Sequence, residues 1–276
     1  MKVERFASFA DGEAGGNPAG VVLCDALPGA DAMQAVAAEV GYSETVFAAP
    51  ADDGWRVRYF APESEVAFCG HATIALGAAL AQRFGDGVFK LQLNAAAISV
   101  EGRRDGATVA AALQSPPTTS RPASDALVDR ALDLFGYRHD DLDPRIPPAI
   151  ANAGVNHLVL ALRSSERLAA MHYELEAGRS FMTAEGIGTI SLVHAQTPRL
   201  FHARNPFAIG GVYEDPATGA AAAALGGYLR DLGWPHEGAI EIIQGEDMGM
   251  RSRLHVEITP MAGASVRVSG SARVIA

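Results

Sequence analysis

Gly70-His71-Ala72-Thr73-Ile74-Ala75-Leu76-Gly77-Ala78-Ala79-Leu80 is the segment from which the architecture can be worked out. Its composition predicts a helix over His71–Phe84 that is almost wholly apolar. A helix without a polar face is stable only when it is buried on all sides. Shifting the sequence by 149 residues lays Gly70 on Gly219, Leu76 on Leu225, Gly77 on Gly226 and Leu80 on Leu229. Matching alanines say little in Ala-rich helices. The Gly-x5-Leu-Gly-x2-Leu skeleton says more, because each Gly costs helix stability and implies close backbone packing. The chain therefore reads as two related domains, the second built on an apolar helix over Ala220–Asp231. Short strands around each helix would make it the axle of a strongly curved sheet. Two such units side by side leave a cleft, a common place for a small-molecule site.

Working outward, Val3–Phe9, Ala19–Leu23, Thr45–Ala49 and Trp55–Phe60 are β-rich runs punctuated by Gly, Pro and Asp. A short helix is predicted over Asp31–Val40, with Asp31 placed to cap it. Strands follow at Phe89–Leu93, Ala97–Val100 and Thr108–Leu113. Gln114–Pro122 then has the composition of a linker. Beyond it come a helix near Ser124–Phe135 and strands near His157–Ala161 and Ile190–His194. The chain closes with strands near Ile240–Ile243, Leu254–Ile258, Ser265–Val268 and Ala272–Ile275. The domains expected are 1–116 and 122–264, with the last strand, about 265–276, open to joining the first.

Composition narrows the function. Hydrophobic residues at 49% and charged residues at 20% fit a globular protein. The longest apolar stretches fall short of the ~20 residues of a membrane span. The N-terminal stretch has no apolar core of a secretion signal. A soluble, cytoplasmic protein with no membrane partner is expected. The net charge is -10, Lys2 and Lys90 are the only lysines, and no basic block appears, which speaks against a nucleic-acid partner. Cys24 and Cys69 make no disulfide framework and suit a reducing compartment. CxxC, HExxH and P-loop patterns are absent, which speaks against structural zinc, zincin chemistry and nucleotide triphosphates.

Three constellations could carry chemistry. In Gly41-Tyr42-Ser43-Glu44-Thr45-Val46-Phe47, Glu44 stands where a loop enters an apolar strand. It is either a surface carboxylate or, held among apolar neighbours, an acid/base with a raised pKa. Phe68-Cys69-Gly70-His71 opens the first apolar helix, where unpaired N–H groups could cradle a carboxylate. His71 is there either a packing residue or a proton donor. Cys69 lies too near His71 in sequence to be assumed a nucleophile–base pair with it. Glu214-Asp215-Pro216-Ala217-Thr218-Gly219-Ala220 opens the second helix, and Asp215 before Pro216 reads as a helix cap.

These blocks, with Gly16–Val22, Asn156-His157-Leu158 and Gln244-Gly245 through Ser252, resemble the signatures of the phenazine-biosynthesis PhzF-like family, in order and over almost the whole chain. The resemblance implies an α+β fold of the diaminopimelate-epimerase-like kind. That fold has two similar domains, each a curved, mostly antiparallel sheet wrapped round a central helix, usually assembled as a homodimer. It implies isomerisation of trans-2,3-dihydro-3-hydroxyanthranilate or a related small carboxylate, with no metal and no organic cofactor. Glu44 would match the family's acid/base, and His71 and Asp215 its supporting polar residues. Ser43, Gly70, Gly219, Ala220 and Gln244 would line the substrate. Ala220 departs from the serine usual at its position, which puts the phenazine substrate itself in question. The alternatives are an amino-acid racemase or epimerase and a carboxylate-binding protein without catalysis. A two-thiol racemase is disfavoured, since the 149-residue shift puts Thr218 opposite Cys69.

Overall fold

The computed structural model describes residues 1–276 except Ala95 and Ala107, with the backbone alone at Asp105 and Thr108. The chain forms two compact units, Met1–Gln114 with Ser269–Ala276, and Ser115–Val268.

The first unit runs β1 (Glu4–Ala10), β2 (Asn17–Leu23), α1 (Ala30–Val40), β3 (Thr45–Ala51), β4 (Gly54–Phe60), β5 (Glu65–Val66), α2 (Gly70–Phe84), β6 (Gly87–Gln92), β7 (Ala97–Asp105) and β8 (Thr108–Gln114). Its sheet has the order β1-β2-β3-β4-β6-β7-β8, with β5 on β4. Every residue of α2 from Gly70 to Ala81 is buried, as a helix without a polar face requires. The sheet meets this helix through β1, β2, β3, β6, β7 and β8, so it curves around it. The closest approach is at two glycines. A β-carbon on Gly77 would lie 2.5 Å from Val100 Cγ2, and one on Gly102 would lie 2.3 Å from the Gly77 carbonyl oxygen. Of the two buried polar side chains of α2, His71 lies at its start and Thr73 donates to the Cys69 carbonyl (2.7 Å) and meets Tyr59 Oη (2.7 Å).

The second unit runs β9 (Thr119–Pro122), α3 (Asp125–Phe135), β10 (Ala149–Asn152), β11 (Asn156–Ala161), α4 (Ser165–Ala169), α5 (Leu175–Glu185), β12 (Thr189–Thr197), β13 (Leu200–Arg204), β14 (Pro206–Phe207), β15 (Val212–Glu214), α6 (Gly219–Leu232), β16 (Ala239–Gln244) and β17 (Ser252–Glu257). Its order is β17-β16-β13-β12-β11-β10-β9. Helix α6 is buried at Gly219 and from Ala221 to Arg230. The Arg230 guanidinium is satisfied inside by the Ala264 carbonyl (3.0 Å) and Thr118 Oγ1 (2.7 Å).

Both sheets repeat one pairing sequence. Along β1-β2-β3-β4-β6-β7 the neighbours are antiparallel, parallel, antiparallel, parallel and antiparallel. Along β10-β11-β12-β13-β16-β17 the sequence is the same. In each, the second parallel pair is bridged by the apolar helix, since parallel strands need a crossover. This is the α+β architecture of duplicated, mostly antiparallel sheets around central helices.

Several local expectations change. Asp31 lies in the first turn of α1, and Gly29 takes the cap position. Thr119–Pro122, inside the expected linker, is strand β9, hydrogen-bonded to β10. The two closing strands are one, β18 (Arg267–Val274), whose end pairs with β1 through Phe6 and Val274. Among the described residues, no helix is long and apolar enough to cross a membrane.

Gly77→Ala is expected to lower stability by about 1–3 kcal/mol through overpacking, outweighing the gain of at most about 1 kcal/mol in helix propensity. Thermal unfolding checks this: an unchanged or higher midpoint would show that Val100 yields.

Candidate active site

Glu44 stands immediately before β3, and its place is set by both strands beside it. Its carbonyl accepts from the Gly20 amide (3.3 Å). Gly20 has no side chain where a β-carbon would sit 2.7 Å from Thr45 Oγ1. The apolar residues that follow, Val46 and Phe47, carry the start of β3 into the core, where Phe47 meets Phe60 edge-on at 5.7 Å. The Glu44 carboxylate is drawn in with them and the residue is 6% exposed.

The start of α2 faces this carboxylate. His71 Nε2 lies 3.4 Å from Glu44 Oε2 and 3.4 Å from Ser43 Oγ. His71 Nδ1 lies 3.2 Å from Cys69 Sγ, and the His71 carbonyl is held by the Ser8 hydroxyl at 2.7 Å. A proton on Nε2 would point toward Glu44 and leave Nδ1 unprotonated on the side of Cys69. The Glu44–His71 contact is an electrostatic one. Oε2 makes no hydrogen bond of ordinary geometry, although it is fully shielded from water. Burial pushes the Glu44 carboxyl above the usual carboxylate range, and hydrogen bonds from Ser43 and Cys69 pull part of the way back. Glu44, Cys69 and His71 also bring one ligand atom each within 4.8 Å of one another, so a metal ion could be held there.

The second unit carries a different arrangement. Asp215 is buried but does not cap α6, because Thr218 takes the cap position and Pro216 lies outside the helix. The reason is a local knot. Thr218 Oγ1 donates to Asp215 Oδ2 (2.5 Å), and the Gln244 amide donates to the Asp215 carbonyl (2.6 Å). Gln244 Oε1 accepts from the Thr218 amide at 3.2 Å. The Gln244 amide is thus engaged with the loop before α6. Glu214, the neighbouring carboxylate, is occupied by Arg204 in a buried two-toothed pair at 2.6 and 3.0 Å. Gly219 is buried, and Ala220 is half-buried in the first turn of α6.

The profile of the family described as "Phenazine biosynthesis-like protein" matches residues 6–276. The chain belongs to this PhzF family. It is 31% identical over 277 residues to an uncharacterized isomerase, mll1393, of Mesorhizobium japonicum, covering 93% of this chain and 91% of the relative. It is 32% identical over 269 residues to the trans-2,3-dihydro-3-hydroxyanthranilate isomerase of Pseudomonas aeruginosa, covering 95% and 91%. The PhzF-family phenazine biosynthesis protein of Bacillus anthracis shares the fold with a TM-score of 0.87 at 21% identity, over 100% of this chain and 98% of that one. The chain is accordingly an isomerase with the diaminopimelate-epimerase-like fold.

Within this PhzF-family chain, Glu44, Ser43, Gly70 and His71 are brought together in the first unit, and Asp215, Gly219, Ala220 and Gln244 in the second. Sequence reasoning set the Cys69–His71 contact aside, but the extended backbone of Cys69 (φ -140°) turns its thiol onto the ring. It also missed the Arg204–Glu214 pair, whose only signal was an Arg ten positions before a Glu. Because the Glu44 pKa is raised on folding, this residue favours the folded state below its ordinary value of 4.5 and loses that contribution as pH rises. Glu44→Gln is therefore expected to unfold at a higher temperature than the wild type at neutral pH, with the gap closing below pH 4.5. Thermal melts across that range check it, and a variant less stable at pH 7 would contradict the buried, disfavoured charge.

Proposed function

We propose that this isomerase moves a proton within a small carboxylate-bearing substrate, with Glu44 as the acid/base and no organic cofactor. The supporting observation is the Glu44 carboxyl itself, buried beside His71 at the start of α2, with its pKa raised toward the range that suits proton transfer near neutrality. His71 supports the carboxylate, and the first-turn N–H groups of α2 at Gly70 suit an anionic group of the substrate. Asp215, Gly219, Ala220 and Gln244 are assigned to the substrate on the strength of the family resemblance.

A one-base reaction is favoured over racemisation by the repeat within the fold. Thr45 and Thr189 open corresponding strands, paired with Gly20 and His157 in the first register of their parallel ladders. The residue before each is Glu44 in one unit and Gly188 in the other. The position matching Cys69 under the helix repeat is Thr218. Neither a second carboxylate nor a second thiol occupies the matching place, so a proton removed by Glu44 returns through Glu44. The dihydro-hydroxyanthranilate isomerase named among the relatives suggests a conjugated, amino- or hydroxyl-bearing carboxylate. Ala220 favours, within that class, substrates that need no hydroxyl at the start of α6.

Proton NMR in D₂O with a panel of small unsaturated and amino carboxylates, dihydro-hydroxyanthranilate among them, tests the proposal. Isomerised product or deuterium in the carbon skeleton is expected with the wild type. Glu44→Gln should reduce turnover by about 10²–10⁴-fold or more. A variant that keeps wild-type turnover would remove Glu44 from the mechanism.

A further inference from the structure

Around His71 Nε2 the first unit gathers a carboxylate, a thiol and an imidazole. Glu44 Oε2 is 3.4 Å from this nitrogen and Cys69 Sγ is 3.9 Å from it, with the three ligand atoms within 4.8 Å of one another. All three residues are buried, and Glu44 Oε2 makes no hydrogen bond there. We propose that Glu44, Cys69 and His71 form a binding site for a thiophilic divalent cation such as Zn²⁺, which, by taking the Glu44 carboxylate, shuts off the isomerase. The shut-off rests on the acid/base reading of Glu44, whereas the cation site does not.

The geometry and the chemistry agree. Tetrahedral zinc, with Zn–N of about 2.0–2.1 Å and Zn–S of about 2.3 Å, sets its ligand atoms about 3.3–3.6 Å apart. The two distances to Nε2 lie near that range, and the third is within 4.8 Å. Thiolate, imidazole and carboxylate are the donor types that zinc selects, and three protein ligands leave a fourth position for water or a substrate oxygen. Charge balances as well. The cation carries +2, and the carboxylate and thiolate together carry -2, the thiol proton passing to solvent. A buried carboxylate that is costly by itself becomes part of a neutral cluster. The pattern is not a zinc motif in sequence, because Cys69 and His71 are two positions apart and Glu44 comes from another element.

Co²⁺, added to the purified chain without substrate, reports the site by absorption. A thiolate-to-cobalt charge-transfer band and intense tetrahedral d–d bands are expected at one ion per chain, lost when Zn²⁺ is added. Cys24→Ser should keep the charge-transfer band and Cys69→Ser should lose it, with circular dichroism confirming that both variants fold. If Cys69→Ser does not fold, iodoacetamide labelling of the wild type read by mass spectrometry replaces it, and Zn²⁺ should slow alkylation at Cys69 and leave Cys24 unchanged. Absence of a charge-transfer band, its survival in Cys69→Ser, its loss in Cys24→Ser, or equal labelling of Cys69 with and without Zn²⁺ would overturn the site. Because these readouts use the cation alone, their failure leaves the acid/base role of Glu44 standing. Full occupancy with undiminished turnover would instead overturn the shut-off and the Glu44 reading together.

Discussion

An α-helix with no polar face cannot lie on a surface, and in each unit the strands have to surround it. That constraint decides most of the architecture. The sheet must curve, so backbone and helix come close at small residues, as at Gly77 and Gly102. The side of such a helix offers no place for polar chemistry. Its ends do, because the first-turn N–H groups have no partner within the helix. In the first unit the residues capable of chemistry collect at that end. Cys69 and His71 come from the helix start, Ser43 and Glu44 from the entry to β3, and Ser8 from β1.

The same repeat has been put to different uses. In the first unit the helix start meets a carboxylate held among apolar residues, a costly arrangement of the kind kept for reactivity. In the second unit the corresponding loop is tied down by Thr218, Asp215 and Gln244, and its neighbouring Glu214 by Arg204. At the partner position of Gly20, where one unit needs open space over Thr45, the other places His157. That imidazole is fully buried, with Nδ1 2.7 Å from Thr189 Oγ1, and desolvation lowers its pKa to about 4, so it stays neutral. Duplicated architecture with divergent polar residues suits an enzyme whose reaction is not symmetric.

The parts legible in sequence were those fixed by long, strongly biased patterns. Both apolar helices could be placed because no other environment accepts them, and Glu44 stood out because a charge precedes Val46 and Phe47. Other features depend on contacts that no local pattern encodes. Thr119–Pro122 has linker composition, yet it becomes a strand because β10 offers an edge. Helix α5 divides evenly between apolar and polar residues with a Gly among them, a composition that does not announce a helix, although Met182 is fully buried. Asp215 before Pro216 has the pattern of a helix cap, but Thr218 and Gln244 hold it outside the helix. The contact between Cys69 and His71 depends on one extended residue just before a helix.

The return of β18 to β1 bears on how the protein is made. Ser271 Oγ donates to the Ala10 carbonyl from 261 positions away, and Ala272 and Val274 pair with Ser8 and Phe6. A nascent chain leaving the ribosome can pair one edge of β1 with β2 at once, but the partner of its other edge is made long afterwards, and an unpaired strand edge is a template for the wrong neighbour. The second unit, continuous from Ser115 to Val268, can close while the first still lacks its last strand. Chain order therefore runs against spatial order: a strand made early waits for one made late, and its free edge is exposed in the meantime.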